Sequence, residues 1–227
     1  MKKEDREEQI KELAKKYGID LEKLKREQIT FSKKVILKDS IDFSVIDRIA
    51  GCSIAMFGNK IIVGIVVLNP DLEIIEERYF ADKINFPYIG GFRAYRELPS
   101  IVSCYNKLEN TPDLIFIESA GVLHSRNFGL ASHLALSIQK PVIGITNSLL
   151  VGEEKAGEIL IDNKIKGYKF LSRHGAKPLY ISPGSFISPK TSLELTKKFV
   201  KEPHKLPEPL FIAKKYVKKV RKEVFNG

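Results

Sequence analysis

Residues Asp113–His133, "DLIFIESAGVLHSRNFGLASH", predict the central strand of the fold and contain a candidate site. This stretch begins with a short apolar run, which leads directly into Glu118 and then into small residues. Such a run, ended by small residues, predicts a buried central strand. Ligands of open α/β sheets bind at the ends of such strands, so Glu118 lies at a position typical of ligand-binding or catalytic residues. The alternative is that Glu118 is simply the first exposed residue of a loop.

Three β-rich runs precede this stretch and predict the other half of a sheet. They are "DRIAGCSIAMF", "KIIVGIVVLNP" and "LEIIEERYFAD", separated by turn signals at 58–59 and 69–71. A helical pattern from Phe92 to Leu108, interrupted or restarted at Pro99, leads into the central strand, and the helix "FGLASHLALSIQ" and the strand "PVIGIT" follow it. This order indicates an α/β chain of ribonuclease H-like fold. We expect a mixed central sheet, with three antiparallel strands followed by parallel strands, flanked by helices.

Helices extend this predicted core at both ends. Residues 2–16 have a charged helical pattern that Gly18 can end, and a second helix begins at Asp20, whose side chain suits an N-cap. Further along, the sequence predicts a strand "KPLYIS" and helices after Pro189 and Pro209. No repeat or internal boundary is evident. We expect a single domain over residues 1–227, with an extra N-terminal helix within 1–20 and a basic C-terminal helix within 197–227.

The charge of the chain points to an anionic partner. Its 227 residues have a net charge of +10, which favours nucleic acid first. The excess is concentrated in residues 197–222, where ten Lys or Arg residues face only Glu202 and Glu208. The run "AKKYVKKVRKE" places apolar residues on one helical face and lysines on the other. These lysines include Lys214, Lys215 and Lys218. They either contact the phosphates of a nucleic acid backbone or form the solvated face of a docked helix.

The cysteines and the hydropathy exclude other classes. Cys52 and Cys104 lie in apolar contexts without CxxC spacing or histidine neighbours, which predicts reduced core thiols rather than a zinc site or a disulfide. The N-terminal segment lacks an apolar core of signal-peptide length, and no window approaches the about 18 apolar residues that a membrane span needs. We therefore expect a monomeric, cytoplasmic protein with no membrane partner.

Five collinear segments resemble the endonuclease V family, which cuts nucleic acid near deaminated adenine (inosine). The resemblance extends from about Leu21 to Val217 and includes nearly all of the predicted core. Its most specific segments are "FPYIGGFRAYRELP", "GVLHSRNFGLASHLAL", "IGITNSLLVGEE", "KPLYISPGSFIS" and "KLPEPLFIAKKY". The resemblance implies metal-dependent phosphodiester cleavage and a DNA or RNA partner that is distorted or contains inosine.

The resemblance also implies a magnesium site made of carboxylates. Hard oxygen ligands hold Mg²⁺, which lowers the pKa of an attacking water and neutralises charge that grows on the phosphate. Glu97 matches the acid of the family's Phe-Arg-Glu motif, and Glu118 takes the place of the aspartate at the end of the fourth strand. Glu97 and Glu118 are thus the implied metal ligands. With His124, which keeps the family pattern, they are the implied catalytic residues.

Several polar positions of that centre are altered together. Ser53 stands where the first strand has an aspartate, Asn147 where the fifth-strand motif has a lysine, and Ser185 where a histidine follows Ser-Pro-Gly. Glu118 is one methylene longer than the expected aspartate, and the Gly-His that follows it is replaced by Ser-Ala. Because two or more carboxylates must compete with bulk hydration for the metal, these changes predict weak or lost cleavage.

The same residues have structural interpretations. Glu118 could hydrogen-bond to Ser53 or pair with Arg126. Glu97 could pair with an arginine of its own helix, Arg93 or Arg96. His124 could be a structural hydrogen-bond donor in its loop, and His133 suits packing better than catalysis.

Residues Pro87, Tyr88 and Ile89 resemble the family's wedge, which separates bases beside a lesion. An aromatic ring can stack on unpaired bases, and the resemblance implies that these residues and Arg126 contact nucleic acid. Gly90 replaces the family's second proline, which predicts a looser loop. The alternative is a rigid loop that anchors the sheet edge to the next helix.

These observations favour an endonuclease V-like protein that binds nucleic acid and cleaves it weakly or not at all. A first rival hypothesis is a working nuclease in which Glu97, Glu118 and waters hold one Mg²⁺. A second is a protein-interaction module that has kept the fold and lost nucleic acid altogether.

Overall fold

The structure is a computed structural model that describes residues 3–173 and 175–226. The helices are α1 (Lys3–Lys16), α2 (Leu21–Ser32), α3 (Arg93–Tyr105), α4 (Leu130–Ile138), α5 (Pro189–Phe199) and α6 (Glu208–Asn226). The strands are β1 (Ile49–Phe57), β2 (Lys60–Leu68), β3 (Ile74–Lys83), β4 (Leu114–Ile117), β5 (Val142–Thr146), β6 (Glu153–Lys155), β7 (Glu158–Ile161), β8 (Lys164–Phe170) and β9 (Leu179–Ser185). Residues 1, 2, 174 and 227 of the expected domain lie outside the described residues, and 1, 2 and 227 of these belong to the expected terminal helices.

Within these ranges the strands form one nine-stranded sheet in the order β3-β2-β1-β4-β5-β9-β8-β7-β6. The expected fold is confirmed, because β1, β2 and β3 are antiparallel neighbours while β4 and β5 run parallel to β1. The sequence did not predict β6, β7 and β8. β6 has three exposed residues and β7 has only four residues, so neither is long enough to show a clear alternating pattern, and antiparallel pairing joins them and β8 to the sheet.

Two apolar layers enclose the middle of the sheet. Ile115 and Ile117 of β4 pack against α3 and α4, whereas Leu114 and Phe116 pack towards α5 and the start of α6. The strand is buried on both faces, and that is why its sequence is a continuous apolar run instead of an alternating one. Cys52 and Cys104 are buried free thiols of the first layer, as expected.

Two predicted helix boundaries differ from the structure. The helix α3 continues through Pro99, since Ala94, Ile101 and Cys104 pack both of its halves against the sheet. The helices predicted after Pro189 and Pro209 are α5, which ends at Phe199, and α6, which begins at Glu208 after an irregular connection, so the C-terminal helix expected within 197–227 begins later than residue 197. Asp20 accepts a hydrogen bond from the Lys23 backbone N–H at 2.8 Å, so it is the N-cap that the sequence predicts.

The helix α6 lies directly on β1 and β2 because two glycines let it approach. A Cβ on Gly51 would stand 1.8 Å from the Pro209 carbonyl oxygen, and one on Gly64 would stand 2.5 Å from Cγ2 of Val217. Ala213, Val217 and Val220 of α6 are buried against this part of the sheet. The close approach fixes which α6 side chains reach the end of β4. None of the described helices is long and apolar enough to cross a membrane.

Candidate nucleic-acid and metal site

A cleft beside β1 and β4 contains Ser53 and Glu118, and it also contains Arg93, the partner of Glu97. The parallel register pairs Cys52 with Ile117, so Ser53 and Glu118 follow side by side on neighbouring strands. Glu97 approaches from α3, which packs over the same end of the sheet. The cleft is a cavity of about 250 Å³ lined by Cys52, Ser53, Ile54, Arg93, Ile117, Glu118 and Lys214.

Glu97 is buried and is paired with an arginine of its own helix. Only 2% of the residue is exposed, and Arg93 Nε lies 2.8 Å from both carboxylate oxygens. Arg93 Nη1 also donates to the backbone oxygen of Glu118 at 3.0 Å, so the arginine links α3 to the end of β4. The pairing of Glu97 with Arg93 was one of the structural alternatives, and the structure shows it.

Glu118 has different partners from those that the sequence suggested. Its Oε2 accepts a hydrogen bond from Lys214 Nζ at 2.6 Å, and its Oε1 accepts one from Asn147 Nδ2 at 3.0 Å. Asn147 Oδ1 in turn accepts a hydrogen bond from Lys205 Nζ at 2.7 Å. Neither Ser53 nor Arg126 is the partner, because α6 places a lysine closer to the carboxylate.

The polar side chains of the cleft do not fit a magnesium ion. Of the three positions where the resemblance implies acids, Ser53 offers a hydroxyl, Glu97 is paired with Arg93, and Glu118 is paired with Lys214. Among the residues that the structure describes, no group of three or more His, Cys, Asp or Glu side chains is arranged to hold a metal ion. A hard divalent cation needs several free oxygen ligands, and the neutral and cationic side chains around the two acids do not supply them.

Ser185 is not part of this cleft. The strand β9 runs antiparallel to β5, so Ser185 pairs with Val142 at the end of β5 that lies opposite Asn147. Its buried hydroxyl accepts a hydrogen bond from the Ile36 backbone N–H at 3.0 Å. The sequence motif alone did not reveal the direction of β9, and hence it grouped Ser185 with the reaction centre.

A second cavity of about 350 Å³ lies beside the predicted wedge and shares Arg93 with the cleft. Tyr88 is 63% exposed at its mouth, with the Arg96 guanidinium 5.8 Å from the ring centroid. Pro87 is half-buried. Ile89, also predicted to contact nucleic acid, is only 2% exposed, because it packs inward and holds the loop.

The lining of this cavity contains a hydroxyl that sequence reasoning missed. Ser119 is 2% exposed, and its Oγ has no hydrogen-bond partner among the described residues. The other lining residues are Gln28, Tyr88, Gly90, Gly91, Arg93, Ala94, Ala120, His124, Gly129, Leu130, Thr146, Ser148 and Leu150. A buried hydroxyl without a hydrogen-bond partner destabilises the folded protein. A polar ligand in the cavity would supply that hydrogen bond.

Arg126 is half-buried, and its guanidinium is hydrogen-bonded within the protein. Its Nε donates to Gln28 Oε1 and its Nη2 to the Gly91 carbonyl oxygen, both at 2.6 Å, while the guanidinium lies 4.6 Å from the Phe92 ring centroid. A Cβ on Gly91, where φ is +81°, would stand 2.7 Å from Nη2. These contacts give Arg126 a structural role, in which it fixes the loop behind Tyr88, and its contact with nucleic acid stays a prediction.

His124 lies at the edge of the same cavity. Burial, and after it the Arg126 charge, lowers the pKa of His124 to about 4, although a hydrogen bond with the Gly91 backbone acts in the opposite direction. The imidazole is therefore neutral at pH 7. Its Nδ1 accepts a hydrogen bond from the Arg126 backbone N–H at 3.4 Å, which is a long contact. As a neutral group His124 can orient a ligand or its own loop, but it is not a proton donor at neutral pH.

His133 packs in an aromatic cluster, as the sequence suggested. Its ring centroid lies 4.2 Å from that of Phe128 and 5.4 Å from that of Tyr95. Burial, and after it the charges of His124 and Arg126, lowers the pKa of His133 to about 3. In the unfolded chain His133 has an ordinary pKa of about 6.5 and is protonated below that pH. In the folded chain it stays neutral until the pH falls to about 3.

We expect His133→Phe to make the protein less sensitive to acid. Between pH 7 and pH 5 the native protein should lose about 2 kcal/mol of unfolding free energy through His133, because protonation favours the unfolded state in this window. Denaturant titrations of both proteins at pH 7 and pH 5 measure the difference. Equal losses in the two proteins would show that His133 does not contribute.

The sheet order, the flanking helices and the polar cleft beside β1 and β4 define an α/β protein of the ribonuclease H-like class. The chain belongs to the endonuclease V family, since the model of that family, described as Endonuclease V, matches residues 29–215. The Endonuclease V of Archaeoglobus fulgidus is 36% identical, with 91% of this chain and 96% of that protein covered. The resemblance carried by the five sequence segments is thereby confirmed.

Solved structures of the family share this fold. Endonuclease V of Bacillus subtilis is 27% identical with a TM-score of 0.83, covering 92% of this chain and 95% of that chain. Endonuclease V of Ciona intestinalis, in complex with a 24mer DNA containing an inosine followed by a ribo-adenosine, is 21% identical with a TM-score of 0.81, covering 90% and 98%. At that identity the likeness shows the fold alone.

Proposed function

We propose that this protein binds nucleic acid strands that are distorted or contain inosine, and that it cleaves them weakly or not at all. The observation that supports this most directly is the contrast between two neighbouring cavities. The cavity beside Tyr88 keeps an exposed ring and an unsatisfied Ser119 hydroxyl, whereas Glu118 in the cleft and Glu97 behind it are both paired with cationic side chains.

Binding is supported by shape and by charge. A cavity of about 350 Å³ is within the range of small-ligand sites, and a single base displaced from its stack is a ligand of that kind. Tyr88 stands at its mouth, where a ring can stack on neighbouring bases. Lys214, Lys215 and Lys218 are exposed on α6, with Lys214 at the adjoining cleft. The family relative from Ciona intestinalis was solved with inosine-containing DNA.

Impaired cleavage is supported by the partners of the acids. The family is generally metal-dependent, and its chemistry needs a cation held by carboxylate oxygens. Glu97 and Glu118 would each have to release a cationic partner at 2.8 Å and 2.6 Å before binding a metal. Since Ser53 supplies no third carboxylate, the gain from a metal would not offset these losses.

Two assays test the proposal. In a titration, an inosine-containing single strand should bind more tightly than the same strand with adenine. In a cleavage assay with Mg²⁺ or Mn²⁺, the protein should cut the inosine strand far more slowly than the Archaeoglobus fulgidus relative does. Efficient cutting that Glu97→Ala abolishes would establish the rival hypothesis of a working nuclease. Absence of binding to any strand would favour a protein-interaction module.

Tyr88→Ala should weaken binding to the inosine strand by about 2 kcal/mol, because stacking on a base contributes about 1–3 kcal/mol per ring. Stability should change little, since most of the Tyr88 side chain is in solvent. One titration and one melting curve separate the two effects. Tyr79→Ala, at an exposed tyrosine of the edge strand β3, is the matched control and should leave binding unchanged. A loss of stability without a loss of affinity would show that Tyr88 only anchors its loop.

A further inference from the structure

Every carboxylate oxygen of Glu97, which lies behind the cleft, and of Glu118, which lines it, already faces a donor from the protein itself. Both oxygens of Glu97 lie 2.8 Å from Arg93 Nε, while the two oxygens of Glu118 accept from Lys214 Nζ and Asn147 Nδ2. These donors come from three separate segments, α3, α6 and the loop after β5. The protein has therefore built cationic groups into the space where acids of this family would hold a metal.

The cleft has an excess of positive charge. Arg93, Lys205 and Lys214 surround the two acids, and Lys205 reaches the cluster through Asn147. Burial, and after it the charges of Lys177, Lys214 and Arg173, lowers the pKa of Lys205, although Glu118 acts in the opposite direction. Cations thus crowd this rim of the sheet from several segments. Such a field repels a divalent metal ion and attracts an anion.

The cationic side chains of the cleft also have N–H groups that donate no hydrogen bond to the described residues. An ammonium group has three N–H donors, and Lys214, whose side chain is 43% exposed, makes one contact to Glu118. Arg93 uses Nε and Nη1, and its Nη2 makes no hydrogen bond within the part of the chain that the structure describes. Ser53 adds a hydroxyl to the same cavity. These groups suit the oxygens of a phosphate.

We infer that the cleft formed by Ser53, Arg93, Glu118 and Lys214 binds a backbone phosphate of the nucleic acid directly, with no divalent cation. The cavity of about 250 Å³ is smaller than the about 300–1,000 Å³ of drug-sized sites, as suits one phosphodiester group. It adjoins the cavity beside Tyr88 through Arg93, so a strand can place a base in one and a phosphate in the other. The inference rests on the proposed function, because it names how the same strand is held.

The experiment compares the affinity for an inosine-containing single strand in EDTA and in Mg²⁺ at matched ionic strength. The affinity should be equal in the two buffers. Lys214→Met should lower it about tenfold, since a charge-assisted contact to one phosphate is lost, and should reduce the slope of log affinity against log salt. Lys190→Met removes the same charge from α5, where the lysine side chain is 80% exposed, and should change neither quantity.

Glu118→Gln separates phosphate binding from metal binding. If the cleft binds phosphate, removing a negative charge beside it should raise the affinity several-fold, equally in EDTA and in Mg²⁺. If the cleft holds a metal, the same variant should lower the affinity in Mg²⁺ and leave it unchanged in EDTA. Paramagnetic resonance of Mn²⁺ is the second readout, and the native protein should leave the free-ion signal unchanged.

The possible failures can be told apart. Binding that appears only with Mg²⁺, together with Mn²⁺ held by the native protein and lost in Glu118→Gln, would overturn the inference and leave the proposed function intact. No binding in either buffer would overturn both. Displacement of the strand by an equal concentration of inorganic phosphate would show that the site is built for free phosphate and not for a nucleic acid backbone.

Discussion

Gly51→Ala should lower the free energy of unfolding by at least about 3 kcal/mol, because β1 and α6 are in backbone contact at this position. The new Cβ would stand 1.8 Å from the Pro209 carbonyl oxygen and 2.8 Å from the Leu210 backbone nitrogen. Backbone atoms cannot rotate away as a side chain can, so the start of α6 must move as a unit. Urea titrations of the native and variant proteins measure the effect.

Gly64→Ala is the matched control, because the added Cβ meets side chains of the same helix. It would stand 2.5 Å from Val217 Cγ2 and 3.0 Å from Tyr216 Cδ1, which can adjust in part. We expect a smaller loss, of about 1–2 kcal/mol. Gly51→Ala should also weaken strand binding, since the displaced helix carries Lys214. Equal losses in the two variants would show that α6 does not depend on the approach at Gly51.

The elements that bury apolar residues could be predicted from the sequence. The antiparallel set β1, β2 and β3, and the central strands β4 and β5, follow from apolar runs separated by turn residues. The hairpin of β7 and β8 could not be predicted in this way. Ile161 and Lys164 pair across a turn at Asp162 and Asn163, where both φ angles are positive, so turn geometry and backbone pairing specify it together with the burial of Ile159.

The site was predictable only where its residues share one segment. The pairing of Glu97 with Arg93 follows from helical spacing, because residues four apart lie on one face. The contact of Glu118 with Lys214 joins positions 96 residues apart, and it depends on how closely α6 approaches the sheet. Lys205 was not predicted as a site residue at all. Only the fold shows that lysines from the C-terminal segment reach the end of β4.

The cleft also gives one residue of the family motif a structural role. Glu97 keeps its place in the family motif, yet here its carboxylate is a buried partner of Arg93 that ties α3 to the Glu118 backbone. A residue with two roles can lose the catalytic one and be retained for the structural one. The structural role of Glu97 is testable without any substrate.

Arg93→Met should lower the free energy of unfolding by about 3 kcal/mol, because it leaves the Glu97 carboxylate buried without its cation. Breaking a buried ion pair costs about 3–5 kcal/mol, and we take the lower end since the Arg93 side chain is 41% exposed. The hydrogen bond from Arg93 to the Glu118 backbone is lost as well. Denaturant titration at neutral pH measures the change.

The reverse variant and the double variant complete a thermodynamic cycle. Glu97→Leu should cost only about 1 kcal/mol, because the Arg93 guanidinium that it leaves unpaired can turn towards water, whereas the Glu97 carboxylate cannot. The combined Arg93→Met and Glu97→Leu protein should be within about 1 kcal/mol of the native one, since an apolar pair of similar volume removes both the charges and their desolvation. A coupling near zero, or a greater cost for Glu97→Leu than for Arg93→Met, would mean that Glu97 does not depend on Arg93. Its carboxylate would then be available to a metal ion, which is the outcome that the hypothesis of a working nuclease requires.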